Sequence, residues 1–159
     1  YLFTFSGGKG SAKVNLVSVP GLTRMTSRGG SPHISVLLPQ EGTRILLPSG
    51  TLFREQNIIL APAGEESMPR FHAPKLFMGA AAVGPQGVMQ QDVILVAAER
   101  RLIDRAEQVI LLVDSSKFQS SSGAIVCALD EVDVLITDQG IAPETAEAIR
   151  QAGVRLLIA

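Results

Sequence analysis

Val109-Ile110-Leu111-Leu112-Val113-Asp114-Ser115-Ser116-Lys117-Phe118 is the stretch that decides the fold. Its first five residues are continuously apolar, which leaves no polar face and reads as a strand covered on both sides, as in a parallel sheet. The run stops at Asp114, and two hydroxyls and a cation follow at once. Ligands of parallel α/β sheets gather outside the carboxyl ends of the strands. The place of Ser115, Ser116 and Lys117 therefore matters as much as their chemistry: Lys117 can hold a phosphate as a point charge, with the hydroxyls donating to its oxygens. The plainer alternative is an ordinary polar loop in which Asp114 caps a turn.

Working outward, 92–107 places Leu95, Ala98, Leu102, Ile103 and Ala106 at three- and four-residue spacing. This spacing predicts an amphipathic helix capped by Asp92, with Glu99, Arg100, Arg101, Asp104 and Arg105 on its solvated side. Upstream, Arg44–Leu47, Asn57–Ala61 and Lys75–Met78 have strand length and end at Pro48, Pro62 and Gly79. Downstream, Val132–Ile136 repeats the buried-strand pattern, and Ala124–Ala128 places Cys127 in another apolar run. Pro143–Ala152 reads as a helix with Pro143 in its first turn and Gly153 at its end, and Val154–Ile158 as a last strand. Strands alternating with helices predict an α/β fold with a largely parallel sheet flanked by helices. Residues 1–40 are rich in Gly, Ser and Pro and show no sustained period.

Composition limits the function. The chain has 159 residues, 46 % of them hydrophobic and 18 % charged, which is enough to bury one core. Its net charge of −1 provides no basic surplus for gripping nucleic acid. One cysteine excludes an internal disulfide and fits a reducing, cytoplasmic setting. No apolar run approaches the ~18 residues of a membrane span.

Gly7-Gly8-Lys9-Gly10-Ser11 lacks the upstream Gly and the Lys-Ser/Thr step of a phosphate-binding P-loop. His33 and His72 have no metal-ligand spacing, so neither a metal nor a cofactor is expected. Ser49-Gly50, after the Arg44–Leu47 strand, permits close backbone approach to a ligand, or forms a tight turn. Thr137-Asp138 is either a ligand contact or the start of the loop leading to Pro143.

These residues carry a resemblance. Lys75-Leu76-Phe77-Met78-Gly79-Ala80, Gly84-Pro85-Gln86-Gly87-Val88, the helix from Asp92, Val113–Phe118 and Leu135-Ile136-Thr137-Asp138 occur in the order seen in DeoR-type repressors of sugar metabolism. The chain resembles their C-terminal effector-sensing domain over about residues 42–159, with 1–41 poorly matched. The resemblance implies a fold related to ribose phosphate isomerases and CoA transferases, and assembly as a homodimer or homotetramer. It implies a phosphorylated sugar or sugar-acid effector held near Ser49, Gly50, Gly79, Gln91, Asp92 and Lys117. Operator DNA would be reached only through an N-terminal winged helix-turn-helix outside this chain. The family's Asp-x-Gly-Thr-Thr loop and later Thr-Asn motif are missing from residues 1–41. The competing expectation is a sugar-phosphate isomerase or transferase on the same fold, with Asp92 or Glu99 as base. Glu99 beside Arg100 on a solvated face and Asp92 as a cap speak against it, so no catalytic residue is assigned.

Overall fold

The computed structural model describes residues 72–91, 93–119 and 123–159, together with the backbones of five short strands ahead of them. Those five are β1 (Leu2–Thr4), β2 (Leu16–Ser18), β3 (Ile45–Leu46), β4 (Thr51–Phe53) and β5 (Ile58–Leu60). They are followed by β6 (Leu76–Met78), β7 (Ala82–Gly84), β8 (Gly87–Gln90), helix α1 (Val93–Ile103) and β9 (Val109–Leu112). A 3₁₀ turn at Ser115–Phe118, β10 (Ala124–Cys127) and a second 3₁₀ turn at Leu129–Glu131 lead to β11 (Val134–Thr137). Helix α2 (Pro143–Gln151) and β12 (Arg155–Ile158) close the chain.

The main sheet has seven strands in the order β12-β11-β9-β6-β1-β2-β3. From β12 through β1 every pairing is parallel, and β2 and β3 extend the sheet with antiparallel pairings. The continuously apolar 109–113 run does what its composition requires. It lies between β6 and β11, and Leu111, aligned with Leu135 on one side and Met78 on the other, has no solvent exposure. Each such side chain contributes about 1.5–3 kcal/mol on burial. The first amide of β9 is tied down as well, since Val109 N–H donates to Asp133 Oδ2 at 2.7 Å.

The α/β expectation holds, with one layer the sequence reading missed. β7 and β8 form a tight hairpin in which Gly84 aligns with Gly87, and β10 adds to β8 antiparallel. The chain thus leaves the main sheet for a three-stranded one twice, between β6 and β9 and again between β9 and β11. Helix α1 packs on β10 and β8, burying Leu95, Leu102 and Ile103, while α2 packs on β12 and buries Ala146 and Ile149. Cys127 is buried in β10, as its apolar run predicts. Gly153 follows α2 with φ of 85°, the left-handed conformation that glycine accepts at a helix end.

Two corrections concern α1. It ends at Ile103 rather than Glu107, because Ala73 bridges to Ala106: Ala73 N–H donates to Arg105 O at 2.9 Å and Glu107 N–H to Ala73 O at 2.9 Å, drawing the backbone out of the helix. Glu99 is not on the solvated side. It lies four residues after Leu95 and three before Leu102, inside the buried stripe, and is 3 % exposed. The chain's cap at Asp92 lies outside the described residues.

Candidate functional site

The parallel strands deliver three turns to one edge of the sheet. Gly79 follows β6, Val113-Asp114 follows β9, and Asp138 follows β11. Because β9 lies between the other two strands, its turn, which carries Lys117, occupies the middle of that edge.

The middle turn is wired by carboxylates. Asp114 adopts an extended cap conformation and accepts from Ser116 N–H at 3.0 Å, and its Oδ1 also accepts from the Ser116 hydroxyl. Asp138 reaches across from the neighbouring strand end: Oδ2 accepts from Ser115 N–H at 2.7 Å, and Oδ1 accepts from Gly140 N–H at 2.8 Å. The Ser115 hydroxyl bonds the same carboxylate. Those donors, first the Ser115 amide and then that of Gly140, hold the Asp138 carboxyl below the ordinary aspartate range. Gly140 suits this closeness, since a Cβ there would stand 2.5 Å from Ser115 Oγ and would displace that hydroxyl. Lys117 N–H donates to Asp114 O at 3.0 Å, and its half-buried side chain forms no ion pair among the described residues. The serine hydroxyls that the sequence offered to a phosphate are thus committed to carboxylates, and the ammonium of Lys117 is the group left to meet an anion.

The Gly79 turn is built differently. Gln90, at the end of β8 with no exposure, donates from Nε2 to Glu99 Oε1 at 2.9 Å and, at 3.5 Å, to Gly79 O. A buried carboxylate and a buried amide therefore stand directly behind a strand-end turn. This pair is what sequence reasoning missed; the four-residue step from Leu95 to Glu99 was a signal for the burial of the glutamate, though not for its partner. Gln91, next along, is exposed. In β11, on the far side of β9, Thr137 is 4 % exposed and its hydroxyl has no hydrogen-bond partner among the described residues.

Of the six residues expected to surround an effector, Gly79 and Lys117 are on adjacent strand ends at one sheet edge, and Gln91 follows the strand that braces Gly79. Ser49, Gly50 and Asp92 lie outside the described residues. Among the described residues no cluster of three His, Cys, Asp or Glu side chains could hold a metal, and no helix is long and apolar enough to cross a membrane.

The profile of the DeoR C terminal sensor domain matches residues 15–139. The chain belongs to the DeoR C-terminal sensor domain family. It is 31 % identical over 125 residues to a putative aga operon transcriptional repressor of Escherichia coli O157:H7, covering 78 % of this chain and 46 % of that one. It is 27 % identical over 126 residues to the HTH-type transcriptional regulator UlaR of Shigella dysenteriae serotype 1 (strain Sd197), covering 79 % and 50 %. UlaR of Escherichia coli strain K12 / DH10B is 26 % identical over the same length. The DeoR sensor chain thus spans about half the length of these regulators.

Proposed function

We propose that this DeoR-family sensor domain binds a phosphorylated sugar or sugar acid at the carboxyl edge of its parallel strands, and so modulates operator binding by a separate N-terminal segment of the whole protein. The observation that carries the reading is Lys117. It is a half-buried cation in the turn that leaves β9, where the Asp114, Ser115 and Ser116 side chains are already bonded to one another or to Asp138. A fixed loop with one uncommitted ammonium suits a dianionic phosphate, because no rearrangement has to be offset on binding. The Gly79 turn on the adjacent strand allows backbone approach beside it. A ligand placed there shifts operator affinity only through unequal affinity for two arrangements of the assembly, which we take to be a homodimer or homotetramer.

The test is a thermal-shift series with paired compounds: ribose 5-phosphate against ribose, glucose 6-phosphate against glucose, 6-phosphogluconate against gluconate. Stabilisation by at least one phosphorylated member, with none from its partner, is the expected outcome. Equal response to both members of every pair would refute a phosphate-reading site.

A second reading, an isomerase or transferase on this fold, draws on Glu99. A carboxylate buried beside a strand-end turn is the kind of group such chemistry recruits as a base. Its engagement by Gln90 and the regulator names of the relatives favour the sensor. Turnover of ribose 5-phosphate that disappears in Glu99→Gln would reverse that order.

A further inference from the structure

We propose that Asp138 and Gly140, in the turn between β11 and α2, are positioning residues that fix the Lys117 turn at the sheet edge. The inference deepens the effector reading above and rests on it for its functional consequence.

The Lys117 turn is a single 3₁₀ turn of four residues with no fully buried member, so helix length does not restrain it; from below, Phe118 packs against the core and the turn rests on β7. Its internal bonds, from Ser116 N–H to Asp114 and from Lys117 N–H to Asp114 O, shape the turn but do not anchor it to the sheet. Val113 N–H to Ile136 O at 3.1 Å is the last rung of the ladder beneath it. Beyond that rung, Asp138 provides the lateral tie: one carboxylate accepts from Ser115 N–H with one oxygen and from its own Gly140 N–H with the other. The second bond orients the carboxylate for the first. Gly140 then lies flat against Ser115, where a side chain would strike Ser115 Oγ at 2.5 Å and Asp138 Oδ1 at 2.8 Å. Two neighbouring strand ends are thereby clasped together, and Lys117, two residues past the clasp, inherits its position.

A positioning role differs from a contact role in what it predicts. Asp138 is an anion beside an anion site, so on charge alone its removal should strengthen binding of a phosphate. A clasp predicts the reverse. In the full chain, amide hydrogen exchange at Ser115 should accelerate about fivefold or more in Asp138→Ala, with the rungs at Val134–Ile136 unchanged. Asp138→Asn, which keeps one acceptor oxygen, should recover part of that protection. Gly140→Ala, which alters no charge, should accelerate the same amide by displacing the Ser115 hydroxyl. With 6-phosphogluconate, ribose 5-phosphate and inorganic phosphate as probes, both alanine variants should weaken whichever probe Lys117→Ala weakens. Adding Asp138→Ala to Lys117→Ala should then cost nothing more, since a misplaced cation and an absent one are equivalent.

Unchanged exchange at Ser115 in Asp138→Ala overturns the clasp whatever the probes do. Unchanged or tighter probe binding in Asp138→Ala, where Lys117→Ala weakens it, overturns the positioning role and leaves the effector reading standing. If Lys117→Ala leaves every probe unaffected, the effector reading fails, and the exchange measurement alone judges the clasp.

Discussion

Two turns at one edge of the sheet hold polar groups in opposite ways. The Lys117 turn keeps its carboxylates, Asp114 and Asp138, in solvent, and each bonds backbone amides nearby. The Gly79 turn is backed by Gln90 and Glu99, both buried, whose side chains meet across nine residues of sequence. In the first arrangement the bonds fix the turn's shape, but a lost partner is replaced by water at modest cost. In the second a lost partner is not replaced, and a stranded buried polar group costs about 1–3 kcal/mol, more when it is charged. The edge thus combines a solvated turn, tied to its neighbour by Asp138, that can meet a ligand with a turn braced from its buried side.

The largest expected effect lies on the braced side. Gln90→Leu removes a donor from a buried carboxylate and should destabilise the chain by about 3 kcal/mol. At about 2–4 °C per kcal/mol for a chain of this size, the melting temperature should drop by roughly 6–12 °C. Replacing both residues, Gln90→Leu with Glu99→Leu, should recover much of the loss, since no carboxylate then remains buried. A double variant as unstable as the sum of the singles would show that the two side chains are not coupled.

Cys127 sharpens the same contrast through reactivity. It lies in β10, on which α1 packs, and burial, the main cause, pushes its thiol up to about 12. The thiolate is the reacting species. Iodoacetamide at pH 8 should therefore label Cys127 only as fast as the protein opens, and Gln90→Leu should accelerate that labelling. Prompt stoichiometric labelling of the folded wild-type chain would show this layer to be solvated.

On the solvated side the effects are smaller. The Asp138 carboxyl is held below the usual aspartate value of about 3.9. A depressed folded value means that its contribution is present above the unfolded value and is lost as pH falls through the folded one. The Ser115 amide should therefore keep its protection throughout pH 4.5–8 and lose it only in stronger acid. Loss of protection near pH 5 would mean that another group holds it. Smallest of all is Arg100→Ala. Its guanidinium bridges Asp104 at 2.7 Å and Glu131 at 2.6 Å, yet all three side chains are more than a third exposed. Surface ion pairs of this kind contribute about 0–1 kcal/mol, so the melting temperature should move by a few degrees at most.

The contrast also explains what could be read from the sequence. The parallel strands were legible because 109–113 is apolar without interruption and 132–136 is broken only by Asp133, a pattern that burial on both faces requires. The Asp114 turn was legible because its bonds span two residues. The β7–β8 hairpin was not: Ala82–Gly84 and Gly87–Gln90 are strands of three and four residues, too short to show an alternation. Nor was the Glu99 environment. A glutamate followed by two arginines looks solvated, and only the fold brings Gln90 to it. From the sequence, Asp138 suits either a ligand contact or the start of a loop, because its partner Ser115 is 23 residues away.

The central claim, that Lys117 reads an anion at the carboxyl edge of the sheet, has one direct test. Lys117→Ala should leave the melting temperature of the free chain within about 2 °C of wild type, because an exposed or half-exposed charge without an ion pair stabilises little. A phosphorylated sugar or sugar acid at about a hundred times its dissociation constant should stabilise the wild type by roughly 2.7 kcal/mol, and the same concentration should leave Lys117→Ala nearly unshifted. A variant that still shows the full ligand shift would place the anion elsewhere, and one that unfolds without ligand would make Lys117 a structural residue. Either result would contradict the account.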